Sequence, residues 1–214
     1  VVKDKLNILQ VNTFDIYGGA EKIAWALHHS YRSRGHNAWL AVGAKRSDSP
    51  EVVAIPNDAY RNLWARFWLS LSSPLSPLGA RIKGVRRLQK LLNYTIGQPH
   101  SLLEFLLGHE NFDFPATAHL LASPLQQPDI LHCHNLHGKY FDLRMLPYLS
   151  QQVPLVMTLH DAWLLSGHCA HSFDCGRWKT GCGQCPDLSI PPAVLRDATA
   201  HNWQRKQAIY SNSK

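Results

Sequence analysis

Short apolar runs alternate along this chain with stretches whose apolar positions recur every three or four residues. Residues 6–12, 37–42, 128–134 and 153–159 are apolar, β-branched-rich and bounded by Gly, Pro or polar residues. Such runs read as buried parallel strands, and residues 52–55 form a shorter one. Between the first two, residues 20–34 place Ile23, Ala24, Leu27 and Tyr31 on one helical face, and Gly35 suits the helix C-terminus. Residues 143–149 and 198–209 read as two further helices, the second of them basic. Strand, Gly18-Gly19 turn, helix and strand in succession begin a doubly wound, mostly parallel α/β sheet.

Residues 58–125 interrupt this alternation as a helical insertion. Leu63, Trp64, Phe67, Trp68 and Leu71 recur at helical spacing, Pro74 and Pro77 break the pattern, and residues 81–92 form a basic amphipathic segment. Leu102, Leu103, Leu106 and Leu107 suggest one more short helix. Two readings stand: an insertion that packs its aromatics inside, or a surface that faces a membrane or an acceptor.

Composition narrows the function classes. The chain has 214 residues with 45% hydrophobic and 17% charged side chains, ordinary for a globular protein able to bury a core. No apolar run approaches bilayer length, and Val1-Val2-Lys3-Asp4-Lys5 does not read as a secretory signal. The expected compartment is therefore the cytoplasm, where clustered cysteines hold metal more often than they form disulfides. A balance of 22 Lys and Arg against 15 Asp and Glu gives +7 and favours anionic partners: phosphorylated small molecules, an acidic membrane surface or nucleic acid. Aromatics are not interleaved with Lys and Arg in any strand pattern and no nucleic-acid motif is present, so nucleic acid is not expected. A zinc-stabilised basic module for nucleic acid remains the alternative class. A small self-contained hydrolase lacks its nucleophile, since no Gly-x-Ser-x-Gly elbow occurs.

Candidate chemistry gathers at strand ends. Gly18 and Gly19 let the backbone approach a ligand, and the following helix offers free N–H groups to an anion, with Glu21 in its first turn. His132, His134, Asn135 and His137 cluster at the end of the 128–134 strand, His132 and His134 on one side of the sheet. Hydrogen bonds to a hydroxylated or phosphorylated substrate suit them better than a metal. His160 and Asp161 end the next strand, where open α/β sheets bind ligands. A histidine there can donate a hydrogen bond, act as a base, or face phosphate as a cation. Cys169, Cys175, Cys182 and Cys185 fall within a loop at 163–187, and Gly181-Cys-Gly-Gln-Cys-Pro186 has the small residues of a metal knuckle. Four thiolates would hold a closed, structural zinc. The spacing between Cys169 and Cys175 is wider than usual for zinc, and disulfides or free thiols stand beside it. Cys133, in an apolar strand, reads as a small buried residue.

In their order, Gly18-Gly19-Ala20-Glu21, Pro128-Asp-Ile-Leu-His-Cys-His-Asn-Leu-His-Gly138, Thr158-Leu-His-Asp161 and the cysteine segment opening at Trp163 resemble the N-terminal half of a family 4 glycosyltransferase. The resemblance implies a Rossmann-like acceptor domain of the two-domain GT-B fold, spanning residues 1–214, with a donor domain outside this sequence. It further implies a retaining transfer from a nucleotide-sugar donor to a glycan or lipid-linked acceptor, as in polysaccharide biosynthesis, without an essential active-site metal. Carried over by position, His160 and Asp161 are catalytic, with His160 reaching the donor sugar. The Gly18-Gly19 backbone would meet donor phosphates or acceptor, and Glu21, His134, Asn135 and His137 would line the acceptor side. The glutamate pair of that family's donor domain, eight residues apart, has no counterpart here. The chain by itself is expected to lack transferase activity, and peripheral contact with an anionic membrane is a further expectation.

Overall fold

The apolar runs pair into one parallel sheet. The computed structural model describes residues 4–75, 77, 82–122 and 127–214. Its strands are β1 (Asn7–Phe14), β2 (Asn37–Ala44), β3 (Val52–Ala54), β4 (Ile130–Cys133) and β5 (Leu155–Met157). They lie in the order β3-β2-β1-β4-β5, all parallel. The order therefore reverses between β1 and β4, which is where a doubly wound sheet opens a crevice beyond its strand ends. This is the α/β, Rossmann-like arrangement expected from the sequence.

Alternation along β1 and β4 sorts the two faces. Leu9, Val11, Leu131 and Cys133 pack on one face with Leu143, Leu146, Leu149, Phe112 and Phe141 in the main core. Leu146 and Leu149 come from α5 (Leu146–Gln152). The other face is covered by α1 (Gly19–Ser33) and carries buried polar side chains, Gln10, His132 and His134, between helix and sheet. Each finds a partner, as buried polar groups must.

The last strand differs from expectation. The run 153–159 reads as a buried strand, yet only residues 155–157 are strand, and β5 pairs with β4 alone among the described strands. Val153 instead closes α5, its N–H donating to Leu149 O, and Val156 is 49% exposed. A run of β-branched residues records affinity for a pleated surface, not how many neighbours the strand will have.

The insertion folds into α2 (Leu63–Ser72), α3 (Val85–Leu91), a wide turn at Leu92–Ile96, α4 (Pro99–Leu107) and a 3-10 segment at Pro115–Ala122. Arg81, with which the basic segment begins, and residues 123–126 lie outside the described residues. In α2 the aromatics divide: Trp68 is half-buried with its indole nitrogen buried, beside the buried Ala65 and Ser72, while Trp64 and Phe67 are exposed along with Leu63 and Leu71. The chain closes on α6 (Thr199–Ser211), anchored by the fully buried Lys206. Among the described residues, no helix is long and apolar enough to cross a membrane.

Candidate functional site at the strand ends

The carboxyl ends of β4 and β5 bring together most of the residues singled out above. His134, Asn135, His137, His160 and Asp161 line one pocket, with Trp163 and the apolar Leu136, Met157 and Leu164. The loop after β4 is held to β1 by Thr13, whose hydroxyl donates to Asn135 O at 3.3 Å and His137 O at 2.9 Å. Gly138 makes that hold possible: its φ is +109°, and a Cβ there would stand 2.6 Å from Thr13 Cγ2.

Two histidine arrangements result. His137 donates from Nε2 to Asp161 Oδ2 at 2.8 Å, while Asp161 Oδ1 accepts from the Trp163 backbone N–H at 2.9 Å. Burial alone would raise the Asp161 pKa; the His137 and Trp163 hydrogen bonds outweigh it and hold the carboxylate below its ordinary value. Both oxygens are engaged, so Asp161 fixes the His137 ring and the turn into Trp163.

The second arrangement is a directed chain. Gln10 satisfies all its polar atoms when its amide nitrogen donates to Ala24 O at 3.2 Å and to His134 Nε2 at 3.0 Å, and its oxygen accepts from His28 N–H at 3.2 Å. His134 Nε2 is then an acceptor, so its proton sits on Nδ1 and is donated to His160 Nε2 at 3.0 Å. Neutral His160 consequently carries its own proton on Nδ1, a donor with no partner among the described residues. Burial first, then the neighbouring His132 and His160, drive the His134 pKa down to about 3, so His134 stays neutral at physiological pH. His132 is tied off separately, to Tyr31 Oη at 3.1 Å and Thr158 Oγ1 at 2.8 Å. Burial and then His160 lower its pKa too.

Gly18, Gly19 and Glu21 do not line this pocket. At the start of α1 the Glu21 carboxylate folds back beside Gly18, so that a Cβ there would stand 1.9 Å from Oε2. At Gly19 the same position is open. Two contributors escaped the sequence reading. Gln10 is a fully buried amide inside an apolar strand, a misfit that signals a polar partner. Trp163, 5% exposed, walls the pocket with its ring centroid 5.5 Å from that of His137.

The four loop cysteines also converge. Cys169, Cys175, Cys182 and Cys185 line one cavity with His168, and all are free thiols. Gly167 N–H donates to Cys182 Sγ at 3.1 Å, and His168 Nε2 lies 3.4 Å from Cys185 Sγ. As placed, no three His, Cys, Asp or Glu side chains among the described residues form a group that could hold a metal ion.

No protein family profile matches the chain, and no solved structure does. A stretch of 77 residues is 39% identical to the Escherichia coli K12 protein named "Putative colanic acid biosynthesis glycosyl transferase WcaC". The match covers 33% of this chain and 19% of that protein, and it links the chain to a glycosyl transferase of polysaccharide biosynthesis.

Proposed function

We propose that this chain is the acceptor-side domain of a retaining, GT-B, family 4 glycosyltransferase that moves a hexose from a nucleotide-sugar to a glycan or lipid-linked acceptor in polysaccharide biosynthesis. The observation that carries the reading is the Gln10–His134–His160 chain, which leaves the His160 Nδ1–H as a donor without a partner among the described residues, at the carboxyl ends of β4 and β5. In the proposed step the bond from the anomeric carbon to the leaving phosphate oxygen breaks, a bond to the acceptor oxygen forms, and the acceptor hydroxyl's proton passes to the departing phosphate. His160 donates to an oxygen of the donor sugar, orienting it without supplying a proton. Asp161 acts on His137, which with Asn135 and His134 meets the acceptor. Gly19 is the open position of the α1 turn that is proposed to meet substrate; Gly18 is occupied by Glu21. The partial similarity to a glycosyl transferase supports the same class.

The test is sugar transfer from a panel of labelled nucleotide-sugars to glycan and lipid-linked acceptors. Residues 1–214 joined to the proposed donor domain should transfer with retention at the anomeric carbon, and residues 1–214 alone should not. Transfer with inversion, or none from any donor, contradicts the reading.

A structural zinc on Cys169, Cys175, Cys182 and Cys185 is proposed for the adjacent loop, supported by the convergence of four unpaired thiols in a segment without extended helix or strand. The thiols would have to turn inward to coordinate. Elemental analysis should give one zinc per chain, lost with Cys182→Ser; a metal-free, equally stable protein contradicts it.

A further inference from the structure

A soluble amphipathic helix turns its apolar stripe to the core. In α2 this is inverted. Leu63, Trp64, Phe67 and Leu71 fall within one stripe of the helix and are 81%, 53%, 56% and 54% exposed, while Ala65 and Ser72 point inward. Leu91 at the end of α3 and Tyr94 in the turn packed against α2 are exposed as well, at 54% and 55%. These side chains are held in place: the Asn62 side chain caps α2 by accepting from Ala65 N–H at 2.8 Å, and Trp64 Nε1 donates to Ile96 O at 2.8 Å. An exposed apolar stripe of this kind marks an interaction site.

Charge says which kind. Residues 62–103 hold six of the 22 Lys and Arg and none of the 15 Asp and Glu, so the remainder of the chain is nearly neutral. Most of the net positive charge thus falls on this one stretch of the insertion, with Arg66, Lys83 and Arg87 exposed. A second copy would set like charge against like charge. A nucleic acid would satisfy the cations and leave the Leu and Phe stripe in water. An anionic bilayer satisfies both, the apolar stripe entering the headgroup–acyl boundary, Trp and Tyr at its level, and Lys and Arg meeting the phosphates.

We propose that the α2–α4 insertion is a membrane-docking surface that seats this protein on an anionic lipid bilayer, independently of whether it transfers sugar. The probes are mixed phosphatidylglycerol–phosphatidylcholine vesicles and pure phosphatidylcholine vesicles, with the whole chain sedimented against each. Binding to the mixed vesicles at low salt is expected, weakening as salt rises. The variant Leu63→Gln/Phe67→Gln/Leu71→Gln should bind about a hundredfold more weakly. The Lys83→Glu/Arg87→Glu variant should lose most of the salt dependence. Both change solvent-facing side chains, so their urea midpoints should match the parent and exclude misfolding. Failure of the parent to bind mixed vesicles overturns the proposal, as does undiminished binding by the apolar variant. So does a dimer, or an oligonucleotide complex, that the parent forms in place of vesicle binding and the apolar variant loses. Loss of vesicle binding leaves the transferase reading untouched, because transfer to a water-soluble acceptor does not require it.

Discussion

Lys206→Met should destabilise the fold by about 3–5 kcal/mol, the cost of leaving one member of a buried ion pair without its partner. Lys206 is 0% exposed, and its Nζ lies 2.8 Å from Glu110 Oε2 and donates to Trp163 O at 2.8 Å. It also stands 4.4 Å from the centroid of the Trp163 ring, while the Trp163 indole N–H donates to Glu110 Oε1. Methionine keeps much of the packing of the lysine stem, so the loss is electrostatic: a carboxylate and a carbonyl remain in a dry site. Burial already raises the Glu110 pKa and lowers that of Lys206, each against the attraction of the other. Without Lys206 the folded-state pKa of Glu110 rises further above its unfolded value. The variant is therefore penalised most at neutral pH and recovers as pH falls and Glu110 takes a proton. Urea denaturation near neutrality and at about pH 5 measures both effects, and Lys206→Met/Glu110→Gln should recover most of the loss. A loss below about 1 kcal/mol for the single variant, or losses that simply add in the double one, would refute the assignment of Glu110 and Lys206 as a coupled pair.

Two other perturbations probe the site's scaffold. Gly138→Ala forces a Cβ into Thr13 at a positive φ and should cost about 1–3 kcal/mol in urea denaturation; unchanged stability contradicts the tight β1–loop approach. Acid should also destabilise the fold well above the carboxylate range. Burial, then His29 and Arg32, lower the His28 pKa to about 4, and burial with His132 and His160 takes His134 to about 3. Folded values below the unfolded value of about 6.5 mean that this stability is complete above that pH and is lost as pH falls toward the folded values, with a slope approaching two protons, or about 3 kcal/mol per pH unit. Urea midpoints between about pH 7 and pH 5 measure it, and His28→Phe should remove one proton of slope; a flat profile contradicts the buried neutral histidines.

Elements whose identity is local were legible in the sequence. β1, α1 and β2 follow from apolar periodicity and the Gly18-Gly19 turn, and the strand-end histidines from alternation plus sheet logic. What escaped depends on partners distant in sequence. The extent of β5 rests on which neighbours it finds. Gln10 showed only as a polar residue among apolar ones; its meaning needed His134, which is 124 positions away. Nothing local pairs Glu110 with Lys206. The periodicity of α2 was clear, but periodicity gives the existence of an apolar face and not its direction. The cysteines were legible as a cluster in one loop, and they line one cavity without forming a metal-holding group as placed.

His160 is proposed as the donor that orients the sugar at the strand-end pocket. Steady-state transfer by the two-domain transferase proposed above, carrying His160→Ala, tests it most directly, with His134→Phe, which removes the positioning ring, alongside. The account predicts a fall in kcat of about a hundredfold or more for His160→Ala, with the acceptor KM little changed, and a smaller fall for His134→Phe. Transfer at the parental rate by His160→Ala, from a protein that folds normally, would contradict it.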